Sequence, residues 1–321
     1  MEVHQNFFHL LLLIFPRLNN KIPFIWFIYQ GLENLDTVLF YACLLVLGAG
    51  IGFLATLGGI GGGVFLVPLY MFFFALDQVT AKGSSVLSIF MAAVLATITH
   101  VRNKRVDFKC SFLLGLISIG GSIVSTLVFY AVPVDSRSFL LIFCIFLSLV
   151  VVKLFRPIFK EYRAHKNARP REAREPLHSP VGLTTEKSLV CNFQNNILHD
   201  WRTLLKAIPL FFMSGFLSYF LGIGGGVINT PVFISVFQFP IHYATAGSTA
   251  IIFINSIYNC IAYGMRGQID YALAVWIGIG MSVGSTLASH YSAKIPKNAI
   301  TLVLIGLLVF TVVNSTIKIF S

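Results

Sequence analysis

Between Lys109 and Asp135 the chain carries no charged residue. Residues 110–132 read CSFLLGLISIGGSIVSTLVFYAV. About 20 apolar residues suffice for a helix to cross the roughly 30 Å of a bilayer's hydrocarbon. Comparable runs lie near 36–57, 79–100, 137–156, 201–221, 243–264, 270–292 and 297–318, with shorter ones at 64–76 and 227–239. Only 11% of the 321 residues are charged, against about 25% in soluble domains. A soluble fold would leave large apolar patches exposed. The short alternating segments of a transmembrane β-barrel are absent. The expected class is all-α, a polytopic membrane helix bundle.

Two glycine runs interrupt this apolar sequence. Residues 59–68 read GIGGGVFLVP and residues 222–231 read GIGGGVINTP. Each is followed by an apolar segment of about 13 residues, 64–76 and 227–239, too short to cross a membrane unaided. Irregular backbone at membrane depth survives only where protein or a water-filled cavity satisfies its polar groups. Both breaks are therefore expected to face the protein interior.

The runs belong to a longer repeat. Gly59 matches Gly222, Pro68 matches Pro231, Asp107 matches Asp270, Gly121-Ser122 matches Gly284-Ser285 and Pro133 matches Pro296, all at an offset of 163. Gly83-Ser84-Ser85 matches Gly247-Ser248-Thr249 at 164. The expected organisation is an apolar or interfacial extension over 1–35, a first repeat over 36–156, a basic linker over 157–200 and a second repeat over 201–318. Each repeat supplies five helices. Within the extension, FFHLLLLIF (residues 7–15) lacks the flanks of a secretory signal, and residues 5–30 read as an interfacial or poorly inserted helix.

Loop charges suggest how the repeats are oriented. The loop after the third helix holds Arg102, Lys104, Arg105 and Lys109 against Asp107, while its counterpart holds Arg266 and Asp270. The next loop reverses the bias, with Asp135 and Arg137 in the first repeat and Lys294 and Lys297 in the second. Cytoplasmic loops collect Lys and Arg. Equivalent loops are thus expected on opposite sides of the membrane, as in an inverted-topology repeat, with the linker in the cytoplasm. Membrane orientation also accounts for the net charge of +11, so nucleic acid is not an expected partner.

A helix that begins after a break has unpaired N–H groups and a partial positive charge. Two such starts brought together would form an anion site. The candidate substrate-binding residues are Gly61, Gly62, Gly63 and Val64 in the first break, and Gly224, Gly225, Gly226, Val227 and Asn229 in the second. Ser84, Ser85, Ser248 and Thr249 are supplementary donors. The alternatives are plain: glycines let helices pack closely, and Ser or Thr can bond back to helix carbonyls. Asp107 and Asp270 read as helix caps, Asn255 and Asn259 as interhelical hydrogen-bonding groups, and His100 as an interfacial histidine. Lys82 either attracts an anion or, on the plainer reading, snorkels to the interface.

Other chemistries lack their marks. Apart from helix termini, no Asp or Glu falls in an expected span, which removes the usual carrier for cation pumping. The glycine runs are neither G-x-G-x-x-G nor a P-loop. Cys43, Cys110, Cys144, Cys191 and Cys260 have no metal or redox spacing. No enzyme activity, metal or cofactor is expected.

With GIGGGVFLVP and GIGGGVINTP, AKGSSV and TAGSTA, and the RVDF and QIDY loops, the chain resembles the sulfite exporter TauE/SafE family, also called the 4-toluene sulfonate uptake permease family. The likeness covers about residues 38–318. It implies a multi-pass carrier in the bacterial cytoplasmic membrane for sulfite, sulfonates or related small organic anions. The expected function is a secondary transporter of small anions working by alternating access. The competing readings are a passive channel, a carrier of neutral metabolites, or a non-transporting sensor or assembly factor. The bilayer and a small anion are the expected partners, and self-association is left open.

Overall fold

The computed structural model describes residues 35–58, 61–103, 105–106, 108–132, 135–167, 201–237 and 239–291, with a few positions from 306 to 316. The described residues form nine bounded helices, with further helical positions between 306 and 316, and among them there is no strand. In the first repeat these are α1 (Leu35–Gly58), α2 (Gly63–Phe72), α3 (Gln78–Arg102), α4 (Phe108–Ala131) and α5 (Ser136–Asn167). In the second they are α6 (Trp201–Leu221), α7 (Gly226–Ser235), α8 (Ile241–Gly264) and α9 (Tyr271–Tyr291). The expected helix over 5–30, Asp107, Pro133, Pro296 and most of the expected span 297–318 lie outside the described residues. So does the linker from 168; its first part continues α5 as helix to Asn167.

Both short helices stop sooner than the apolar pattern runs, and they stop in the same way. The Leu76 N–H bonds back to the Tyr70 carbonyl, and the Phe239 N–H to the Phe233 carbonyl, each at 3.0 Å. These bonds, each from residue i+6 back to residue i, fold the chain over the helix end and release it from the helix. The repeat therefore extends to the cap geometry: 70 and 233, like 76 and 239, are 163 apart. The helices that follow start differently. Asp77 caps α3, its Oδ2 accepting the N–H groups of Val79 (3.0 Å) and Thr80 (3.1 Å), whereas Pro240 stands before α8 without a side-chain cap. Asp270 caps α9 as expected, its Oδ1 accepting from the Leu273 N–H at 3.1 Å.

Four helical stretches are long and apolar enough to cross a membrane: Val38–Thr56, Gln78–Arg102, Cys110–Ala131 and Tyr271–Ser289. Shorter apolar stretches lie at Gly63–Phe72, Arg137–Val152, Leu205–Leu221 and Gly226–Ser235. α8 has the length but not the hydropathy. Its Ser248, Asn255, Ser256 and Asn259 are all buried, so their polarity faces protein.

The helices pack across the repeat boundary. α3 and α9 run in the same direction: Ser84 Oγ accepts the Asp270 N–H, Ser88 Oγ donates to the Ala274 carbonyl, and Gly278 lies against Ser88 and Met91. α1 joins them, with Tyr41 stacked on Trp276 and Gly52 against the backbone of Met281. The second set is α4, α6 and α8. There Ser122 Oγ donates to Asn255 Oδ1, the Tyr258 hydroxyl donates to Thr126 Oγ1, Gly215 lies against the Ser118 backbone and Phe129 meets Phe220 edge-on. Short turns reverse the chain between α3 and α4 and between α8 and α9. Matched helices α3 and α8 thus run in opposite directions, as do α4 and α9.

Lipid tails are as apolar as leucine, so helices in a membrane associate through close packing and interhelical hydrogen bonds. Glycine permits the closest approach. A methyl group at Gly52 would overlap Met281 backbone, and one at Gly284 would overlap Ala49 backbone. Exchanging repeats turns these contacts into Gly215 on Ser118 and Gly121 on Phe212, both also present.

Gly52→Leu and Gly215→Leu are each expected to lower the thermal stability of the purified protein, by about 2 kcal/mol or more, through overpacking. Gly50, on α1 but with nothing within 4 Å of its Cβ position, supplies the control. Gly50→Leu is expected to leave the melting temperature unchanged.

Candidate functional site

Each break is a turn that side chains would obstruct. Gly61, Gly62, Gly224 and Gly225 have φ of 86°, 77°, 77° and 77°, in the left-handed region where an L side chain is strained. Gly62 and Gly225 cap α2 and α7 without a side-chain bond. Gly62 takes the N–H groups of Phe65 and Leu66 on its carbonyl, and Gly225 those of Ile228 and Asn229. The first pairing in each case closes a turn tighter than α-helix.

After the first break the chain doubles back. Phe74, just beyond α2, meets Phe40 near the start of α1 edge-on, with centroids 6.4 Å apart. α1, the break and α2 form a hairpin, and α2 returns toward the side on which α1 began.

The two breaks touch. A methyl at Gly61 would lie 3.6 Å from the Ile223 carbonyl oxygen and 3.7 Å from the Gly226 nitrogen. One at Gly63 would collide with the Gly222 carbonyl oxygen at 2.7 Å. Ile89, near the middle of α3, packs on Gly63 and Gly224, and Ile252, near the middle of α8, packs on Gly61 and Gly224. Gly62, Gly63, Val64, Gly224, Gly225 and Gly226 are buried, and Gly61 and Val227 are half-buried. Both breaks therefore face protein, at the level of the midpoints of the two central helices.

The polar candidates divide by what they already bond. The Ser85 hydroxyl donates to the Gly222 carbonyl at 3.0 Å, fastening α3 to the second break. Ser84 is engaged with Asp270, and Thr249 Oγ1 donates to the Thr245 carbonyl within its own helix at 2.8 Å. Ser248 Oγ and Asn229 Oδ1 are buried without a hydrogen-bond partner. A buried oxygen left unpaired is destabilising by about 1–3 kcal/mol; Ser248 Oγ can donate or accept, whereas Asn229 Oδ1 can only accept.

Beside the first break lies a cavity of about 30 Å³, room for about two waters. It is bounded by α1 (Gly52, Ala55, Thr56), Gly61, α3 (Ile89, Ala92, Ala93, Ala96), α8 (Thr249, Ile252) and α9 (Met281, Ser285). Of the residues expected from sequence, Gly61 and Thr249 line it and the others do not. Sequence reasoning missed Met281, whose Cε would be 2.6 Å from a methyl on Gly62, and Ser214, whose hydroxyl donates to the Gly225 carbonyl at 3.0 Å. Ser285 had a signal, the Gly-Ser landmark it shares with Ser122. Met281 had none, being one apolar residue among many.

One expectation is corrected. Lys82 does not snorkel: it is wholly buried, with its Nζ over the ring of Phe129 at 3.6 Å from the centroid. Its position, one turn inside α3, lies under α4 and α5 and leaves the stem no path to the interface. His100 is buried in the last turn of α3, at the helix end beside the loop. The two asparagines behave as expected. Asn255 accepts from Ser122 of α4, and Asn259 Nδ2 donates to Ser218 Oγ of α6 at 3.2 Å.

A bundle of apolar helices with two sheltered, glycine-built interruptions at its centre is the construction of a membrane transport protein. Comparison with known sequences agrees. The profile of the family described as Sulfite exporter TauE/SafE matches residues 44–315, and the chain belongs to that family. It is similar to "Probable membrane transporter protein YunE" of Bacillus subtilis, 26% identical over 276 residues that cover 82% of this chain and 93% of that protein. It is also similar to "Probable membrane transporter protein MJ0441" of Methanocaldococcus jannaschii, 24% identical over 267 residues, 81% and 86% of the two chains. A second Bacillus subtilis protein, "Probable membrane transporter protein YdhB", is 22% identical over 262 residues, 81% and 92%. No solved structure matches the chain significantly.

The division among hydroxyls gives a stability contrast. Ser85→Ala strips the Gly222 carbonyl of its donor and is expected to lower stability by about 1 kcal/mol. Ser248→Ala removes an unpaired group and is expected to leave the melting temperature unchanged or raise it. Thermal unfolding of the two purified variants checks both.

Proposed function

We propose that the chain is a secondary carrier of small anions, of the sulfite or sulfonate type, in the cytoplasmic membrane, performing no chemistry on its cargo. One observation carries the reading: two helix starts, each built on left-handed glycines and buried, are in contact at the midpoints of α3 and α8. Helix starts favour negative charge, and glycine lets a ligand approach the backbone. Asn229 stands in the first turn of α7.

The opposed directions of α3 and α8, and of α4 and α9, support two inverted repeats related by an axis in the membrane plane. The loop charges point the same way. Such a pair can offer one central site to each side in turn. Membership of a family described as sulfite exporters supports the choice of anion class.

Reconstituted in liposomes, the protein is expected to take up radiolabelled sulfite or a sulfonate saturably and faster when the lumen is preloaded with unlabelled anion. Gly62→Leu and Gly225→Leu are expected to abolish this uptake. A conductance that rises without saturation, or counterflow of neutral metabolites alone, would overturn the proposal.

A further inference from the structure

Lys82 is a wholly buried amine in an apolar bundle, and nothing described above gives it a task. On α3 it shares a face with Ser85 and Ile89, three and seven residues on, and that face runs along the second break. The Lys82 stem packs on Gly222, where a methyl would lie 2.9 Å from its Cβ and Cγ. Ser85 bonds the Gly222 carbonyl, and Ile89 packs on Gly224. The Nζ makes no hydrogen bond. It faces the rings of Phe129 on α4 and Phe139 on α5, at 3.6 and 4.9 Å from their centroids. The carboxylate whose charge reaches it is Asp77, exposed at the cap of its own helix. The corresponding residue of the second repeat is Ala246, so only one member of the pair carries the amine.

Burying an ammonium without a counter-charge is strongly unfavourable, and ring faces return about 2 kcal/mol of that. Methionine would fill the same space without this penalty. The amine is kept against stability, at the edge of a break built to receive a guest.

We propose that Lys82 is the charge partner of the transported anion. In the unloaded form its ammonium is held on the Phe129 and Phe139 rings; an oxyanion lodged at the second break draws it off to form a charge-assisted hydrogen bond. The four-carbon stem, anchored where α3 touches Gly222, lets the Nζ sweep roughly 6 Å. The inference rests on the anion-carrier reading and adds to it a residue and a movement. It also makes the site asymmetric, with the cation supplied from the first repeat alone.

The test uses the full chain in detergent, with sulfite and 4-toluene sulfonate titrated calorimetrically and by thermal shift. Lys82→Met is expected to weaken binding about tenfold or more, with anion-free stability unchanged or raised. Phe129→Leu releases the ammonium from its ring and is expected to tighten binding, although it removes core packing. A purely structural lysine predicts the reverse pattern: lowered stability in Lys82→Met and unchanged affinity in both. Binding by Lys82→Met within twofold of wild type overturns this inference alone. If Lys82→Met does not fold, unchanged or weakened affinity in Phe129→Leu overturns it. Wild-type protein that binds neither anion overturns the carrier reading as well.

Discussion

A peptide group in hydrocarbon has no water to turn to, and that constraint governs the whole molecule. Helices meet it automatically. The two glycine runs do not, because each leaves the helical ladder for several residues. Each run is made tolerable by the other: Gly61 and Gly63 rest against Ile223, Gly222 and Gly226, and Ile89 and Ile252 seal the contact. Neither repeat could keep its break alone in lipid. The polar centre of the protein and the joining of its two repeats are one and the same interaction.

Much of this was legible in the sequence because it depends on period and offset. The apolar runs give the helices to within a few residues, apart from α5, which continues past its apolar run to Asn167. The offset of 163 finds Gly52 and Gly215 as equivalent neighbours across the repeat boundary, and it holds even at the caps after α2 and α7. What escaped was orientation about the helix axis. Lys82 near the start of an apolar helix looks free to reach the interface, and only the placement of α4 and α5 over it shows otherwise. Ser85 and Thr249 occupy matched positions, yet one ties two helices and the other bonds its own turn. A hydroxyl's partner depends on which neighbour covers that face, and no periodicity in one chain records it. α8 reads as a span like the rest, and it hides its Ser and Asn residues on the side that faces protein while Ile257 and Ile261 stay exposed.

Membership in the TauE/SafE family and the central pair of breaks bear on function from different directions. Family membership speaks to transport, and the breaks speak to where a guest could lie. Ser248 and Asn229 are two of several buried side chains that keep an atom without a hydrogen-bond partner. In a bundle held by close packing, polar groups left without partners are either defects or places kept open for something that arrives.

The two parallel sets, α1 with α3 and α9, and α4 with α6 and α8, each draw helices from both repeats. Units of sequence and units of mechanics therefore do not coincide. Glycine-to-backbone contacts clasp α1 to α9 and α4 to α6, so prising the repeats apart would break the tightest seams in the protein. Sliding at the α3–α8 crossing, where Phe90 stacks on Phe253, would leave those seams intact. A chain assembled from duplicated halves is thus packed as two chimeric blocks that meet at the crossing of its two most central helices.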